Sequence, residues 1–127
     1  MFKLLTVAIV SLLFTNCSHS ISRYGYEKKE GTVNCNPILK YGKNLGNLPV
    51  FKVGGIRLSD TGFSLTCNKY DALAILQKEA CSIGADIIII LEVDKPDFFS
   101  TCYRVEADFV KLKDSRLKDK LTSDELD

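Results

Sequence analysis

A chain of 127 residues is long enough for one compact domain and too short for a multidomain enzyme. Seventeen basic residues stand against sixteen acidic ones, which excludes the strong positive field of a nucleic-acid binder. Charged residues make up 26% and apolar ones 46%, a globular rather than a disordered mixture, and the single histidine, His19, argues against histidine-based catalysis.

The chain opens on Met1-Phe2-Lys3, and an unbroken run from Leu4 to Phe14 follows, apolar but for two hydroxyl side chains. That run has the length of a signal-peptide core and is too short to cross a bilayer as a mature helix. It ends at Phe14-Thr15-Asn16-Cys17, which is similar to the lipobox of bacterial lipoproteins, where the cysteine becomes the acylated N-terminus. Residues 1–16 are therefore expected to be a lipoprotein signal peptide, and Cys17 the lipidation site. Loss of Lys3 with that peptide leaves a mature chain of sixteen basic and sixteen acidic residues. Two or more acyl chains would hold it on a membrane, where a single chain would not. Ser18 after the cysteine matches the outer-membrane sorting choice of enteric lipoproteins.

Residues 17–47 read as a lipidated tether, polar and without a sustained apolar period. Within it, Gly31 to Cys35 and Ile38-Leu39 are expected either to form a short strand or to lie against the domain. The folded domain is expected over residues 48–112. Pro49 to Leu58 predicts a strand with Phe51, Val53 and Ile56 inward, and Gly54-Gly55 marks a bulge or a close backbone approach. Asn68, with Asp71 three residues on, caps a helix from about Lys69 to Ile83. Leu73, Leu76, Ala80 and Ile83 form its apolar stripe, and Gly84 stops it. Asp86 to Leu91 is an aliphatic run that predicts a strand covered on both faces. Asp94 to Asp97 makes a turn. In the strand from Thr101 to Leu112, Tyr103, Val105, Ala107 and Phe109 share the dry face and Arg104, Glu106 and Asp108 the wet one. Residues 113–127 read as a charged tail, frayed or disordered. The expected fold class is α+β, a small β-α-β-β domain with one helix packed on an antiparallel sheet.

With Cys17 assigned to lipid, Cys35, Cys67, Cys81 and Cys102 remain, and an oxidising compartment would pair them. Cys67 precedes the helix and Cys81 lies in its last turn. Fourteen residues of helix hold them roughly 20 Å apart, beyond the ~7 Å reach of a disulfide. The strand after Gly84 runs back along the helix, so the last strand starts near the helix start. That favours Cys67–Cys102, a constraint worth roughly 3–4 kcal/mol, and leaves Cys35 and Cys81 as the candidate second pair. Zinc sites use cysteines two to four residues apart, and the shortest spacing among these four is 14. No metal, cofactor or catalytic residue is expected.

The lipidated start, the cysteine before a helix, Gly84-Ala85-Asp86 leading into an aliphatic strand, and Ser100-Thr101-Cys102-Tyr103-Arg104 together resemble the RcsF family of outer-membrane stress-sensor lipoproteins. The resemblance covers about residues 46–112. It implies a bridge between the cysteine before the helix and that of the Cys-Tyr-Arg motif, here Cys67 and Cys102. Cys35 and Cys81 fall outside the family's pattern. It also implies a non-enzymatic module on the periplasmic face of the outer membrane, acting through an envelope protein partner. A structural accessory lipoprotein of an envelope or secretion complex is the alternative. Phe98 and Phe99, beside Pro96, are the candidate partner-binding residues, since adjacent exposed aromatics make good anchors. Glu92, Asp94 and Asp97 read as a solvated turn. Tyr24, Tyr26 and Lys28-Lys29 read as part of the tether.

Overall fold

The computed structural model describes residues 20–27, 35–60, 67–98 and 102–127. The fold is α+β, with one helix, α1 (Lys69–Ser82), on a five-stranded sheet. In chain order the strands are β1 (Ser20–Tyr24), β2 (Ile38–Tyr41), β3 (Val50–Ser59), β4 (Ile87–Asp94) and β5 (Arg104–Leu112). Across the sheet they lie β1-β3-β5-β4-β2. The expected β-α-β-β unit is the inner part, β3-α1-β4-β5. The two outer strands, β1 from Ser20 and β2 from Ile38, come from residues that read as tether, ahead of the boundary expected near Leu48.

Four strands pair antiparallel, but β2 runs parallel to β4, which corrects the all-antiparallel expectation. The second disulfide favours this direction. Cys35 is bonded to Cys81 in the last turn of α1, so β2 starts at the end of the molecule where β4 starts. Ile38 N–H donates to Asp86 O at 2.9 Å at that common origin.

The helix is cut as its sequence dictates. Asn68 Oδ1 accepts from Asp71 N–H and Asp71 Oδ2 from Asn68 N–H, a full capping box. Gly84 takes φ of 69°, and the amides of Gly84 and Ala85 donate back to Cys81 and Ala80 carbonyls in a Schellman stop. The buried face is Ala72, Leu76, Glu79, Ala80 and Ile83, whereas Leu73 is only partly covered. Small alanines bring the helix close to the sheet.

Core sits on both sides of the sheet. On the helix side Val53, Ile56, Leu58, Ile88, Ile90, Tyr103, Val105, Ala107 and Phe109 are all buried. On the other side Ile38, Ile87, Ile89, Val110 and Leu112 form a second cluster under Leu45, Leu48, Leu117 and Leu121. The expectation that the run from Asp86 to Leu91 is covered on both faces holds for Ile87–Ile90, whereas Leu91 is 51% exposed. So does the alternation of β5, except that its second face turns dry at Val110.

The Gly54-Gly55 bulge is present, with β3 and β5 slipping register between Lys52 and Gly54. Phe51 departs from expectation at 37% exposure. Ile83 closes the helix side over Gly54, and Phe51 extends past that point.

The residues read as a charged tail are a folded strap. A 3-10 turn, Ser115–Lys120, roofs the second cluster, and the chain then follows the free edge of β2. Asp124 N–H donates to Leu39 O at 2.8 Å, and Ser123 Oγ accepts from Leu39 N–H. The Asp124 carboxylate accepts from Tyr41 N–H, Asn44 Nδ2 and Lys40 Nζ, and the first two bonds hold it below the usual carboxylate range. Leu126 is 4% exposed, packed into the helix-side core. Its lone apolar side chain among charges gave no periodicity to read.

Candidate functional site

Both disulfides join the helix to the sheet. Cys67 and Cys102 have Cα atoms 5.0 Å apart at the start of α1, and Cys35 and Cys81 5.6 Å apart at its end. The four cysteines therefore pair as the helix geometry favours. Tyr103 N–H donates to Cys67 O at 2.8 Å beside the first bridge. The neighbouring Tyr103 hydroxyl is pushed up to about 12 by burial.

The N-terminal segment is docked by groups that the sequence reading did not connect. Glu79 lies on the buried face of α1 at 9% exposure. Arg23 grips its carboxylate through Nε at 2.8 Å and Nη2 at 2.5 Å, and the Tyr26 hydroxyl donates to it at 2.8 Å. The Arg23 fork holds the Glu79 carboxyl below its usual range, and burial with the bond to Glu79 pushes the Tyr26 hydroxyl up. A buried acid needs such partners. The readable signal was an acid at position 79 inside a stripe of 72, 76, 80 and 83, together with an Arg-x-x-Tyr segment upstream.

Tyr26 and Tyr24 cover the two glycines of the bulge. A Cβ on Gly54 would stand 2.6 Å from Tyr26 Cδ1 and 3.0 Å from Ile83 Cδ1, and one on Gly55 would enter the Tyr24 ring. Tyr26 also meets Phe109 edge-on at 6.1 Å between centroids. Glycine here is required by the close approach of rings, not by backbone angle.

Beyond the second core cluster, the sheet face away from the helix is polar. Lys52 reaches Asp108 at 3.0 Å and lies over the Tyr24 ring at 5.2 Å. Arg57 binds Glu106 at 2.7 Å, and Glu106 pairs across the strands with Glu92. Arg57 flanks Glu106 from β3 while Glu92 flanks it from β4, and the Arg57 charge offsets the repulsion between the two carboxylates. Glu106 raises the Arg57 pKa, through its hydrogen bond first and its charge second. Arg57, Glu92, Asp94, Arg104 and Glu106 line an open cleft of about 410 Å³. Its mixed charges suit a polar protein surface.

Of the residues proposed to meet partners, Phe98 is 99% exposed, beyond the end of β4. Phe99 lies outside the described residues, as do Cys17, His19 and Lys28-Lys29. Glu92, Asp94 and Asp97 are exposed as expected, but Glu92 and Asp94 belong to β4 and pair with Glu106 and Arg104, so only Asp97, 3.6 Å from Arg104, lies beyond the strand. Among the described residues no cluster of three His, Cys, Asp or Glu side chains is placed to hold a metal. Among them, too, no helix is long and apolar enough to cross a membrane. No protein-family model, no curated protein and no solved structure matches the chain.

Proposed function

We propose that the chain is an exported bacterial lipoprotein, held by acyl chains on Cys17 at the outer membrane and facing the periplasm. Its domain acts as a non-enzymatic, stress-sensing module that binds an envelope protein. The observation that carries this reading is the division of labour among the five cysteines. Four are cross-linked in two disulfides. Such bonds persist in oxidising compartments, so they support export. The fifth, Cys17, stands where the apolar run from Leu4 to Phe14 ends. The charged cleft of Arg57, Glu92, Arg104 and Glu106 is the surface assigned to the protein partner, because it is open and mixed in sign. The resemblance to the RcsF family adds the Cys67–Cys102 bridge to this reading.

Radiolabelled palmitate tests the anchor. Label is expected in the wild-type chain and absent from Cys17→Ser. Equal label in both would refute lipidation at this residue. A photocrosslinker at Glu106 tests the partner surface. It should yield one discrete adduct in membranes, lost in Arg57→Glu, and a smear or no adduct would refute the assignment.

A further inference from the structure

We propose that the groove between α1 and the outer edge of β2 is a strand-addition site for an acidic, leucine-bearing extended peptide of a partner protein, and that residues 123–127 fill it as an internal stand-in. The site shares no residue with the charged cleft at Arg57 and Glu106, and it does not depend on the lipoprotein reading.

The strap pairs with β2 irregularly. On its other side β2 is bonded to β4, so the outward backbone groups of Leu39 and Tyr41 need partners at the edge. A neighbouring strand would meet their N–H groups with backbone carbonyls. Here Leu39 N–H donates to Ser123 Oγ at 3.2 Å, and Tyr41 N–H donates to Asp124 Oδ2 at 3.1 Å. The bond of strand type is Asp124 N–H to Leu39 O, at 2.8 Å. Side chains thus stand where a strand's carbonyls would, and each costs rotamer freedom that a backbone carbonyl does not. An extended peptide in register offers the better acceptors.

The strap also shows what the site accepts. Lys40 Nζ and Asn44 Nδ2 donate to the Asp124 carboxylate at 3.4 and 3.1 Å. Two residues on, Leu126 is buried in the helix-side core. Beside the strap an open groove of about 430 Å³ remains, walled on the helix side by Lys69, Tyr70, Leu73 and Gln77. Tyr70 is 78% exposed and Leu73 only partly covered, so α1 turns apolar surface to a groove that the strap does not fill. The acids of the lining, Asp124 and Glu125, belong to the strap and leave with it. Among the described lining residues Lys69 is the charged side chain that stays. An acidic peptide matches that balance, and a leucine two residues after its acid takes the place of Leu126. The strap is the competitor, because a peptide meets the bare edge only in molecules whose strap is open.

The probe is a fluorescein-labelled peptide with the sequence of residues 121–127, Leu-Thr-Ser-Asp-Glu-Leu-Asp. By fluorescence anisotropy it should bind full-length Asp124→Pro roughly tenfold more tightly than full-length wild type, since that change removes both the N–H and the carboxylate that hold the strap. Tyr70→Ala in the same background, at an exposed position, should weaken binding roughly fivefold. Thermal melts establish that each variant is folded. In wild type, the peptide at millimolar concentration should speed amide exchange at Asp124 while Leu39 and Tyr41 stay protected. Equal affinity for wild type and folded Asp124→Pro overturns the stand-in role of the strap. No binding to folded Asp124→Pro overturns the site, and if that variant does not fold, unchanged exchange in wild type overturns it instead. Dimers of Asp124→Pro that the peptide does not dissolve make a second copy the occupant and overturn the partner peptide.

Discussion

Replacing Glu79 by Gln should release the N-terminal strand while leaving the helix and inner strands folded. The Glu79 carboxylate takes three charge-assisted hydrogen bonds, two from Arg23 and one from Tyr26. Each such bond is worth about 1.5–3 kcal/mol when buried, against about 1 kcal/mol for a neutral one. The Arg23 side chain is 48% exposed, so solvent screening reduces the contribution of its fork to about 1 kcal/mol. The Tyr26 bond is better shielded and adds about 1 kcal/mol, for a total near 2 kcal/mol. At a urea slope of about 1–2 kcal/mol per molar, the midpoint should fall by about 1–2 M. Amide exchange should rise first in Ile21 to Tyr24. The pH dependence has a definite sign. Arg23 lowers the folded-state pKa of Glu79 below the ordinary 4.5, so its contribution is complete above that value. It is lost as pH falls through the lowered folded value. Wild type should weaken from about pH 5 downward more steeply than Glu79→Gln, and the two should converge in acid. Equal midpoints at pH 7, or parallel acid profiles, would refute the proposed role of this carboxylate.

Gly54→Ala should cost about 1–3 kcal/mol, because the new methyl meets Tyr26 and Ile83. In a Tyr26→Ala background the cost should shrink, and additive urea midpoints would contradict the ring-over-glycine packing. Cys67→Ser, Cys102→Ser and their double mutant should each lose the same constraint, about 4 kcal/mol for a separation of 35 residues. Because the Cys35–Cys81 loop spans 46 residues, Cys35→Ser should be as damaging, not milder. Non-reducing peptide maps and thermal melts check both bridges, and a mild Cys35→Ser would show that β2 holds without its bridge. Leu126→Ala should cost about 2 kcal/mol, the low end for a buried leucine because the strap end can relax. Unchanged thermal stability would mean that residues 122–127 do not pack as described.

The inner fold was legible because its signals are local. The capping pair Asn68 and Asp71, the stop at Gly84, the aliphatic run Ile87–Ile90 and the alternation of Tyr103 to Phe109 each specify an element without reference to the rest of the chain. The edges were not legible because their stability comes from distant partners. Ser20–Tyr24 carries alternating side chains too weakly apolar to announce a strand. It becomes one through the β3 ladder, through Arg23 on Glu79 and through Tyr24 over Gly55. Ile38–Tyr41 runs parallel to Ile87–Ile90 from a start that lies beside the distant Cys81, to which Cys35 is bonded. The strap from Ser123 to Asp127 is held by backbone bonds to Leu39 and by carboxylate bonds that no local pattern encodes. Cleft residues fared likewise. Arg104 and Glu106 read as a wet ladder, yet Arg57 as the partner of Glu106 required the β3–β5 register.

The two bridges and the two chain ends solve one physical problem. The face that the helix turns to the sheet includes two alanines, Ala72 and Ala80, beside Leu76, and it also buries the charge of Glu79. Its ends are therefore fastened covalently, at Cys67 to the start of β5 and at Cys81 to the approach to β2. Its charge is answered from β1. The sheet edges, which would otherwise offer unpaired backbone to other chains, are treated unequally. Ser123 and Asp124 occupy the free edge of β2. The outer edge of β1 carries no such strap among the described residues, and only Ser18 and His19 lie between that strand and Cys17 in the sequence. An acyl anchor there would keep this open edge beside the membrane surface, where diffusion is confined to a plane and the approach of a second sheet edge is restricted. If Cys17 is acylated as proposed, the anchor also restricts access to this edge, so a secreted Cys17→Ser chain should self-associate through β1 more readily than the anchored protein.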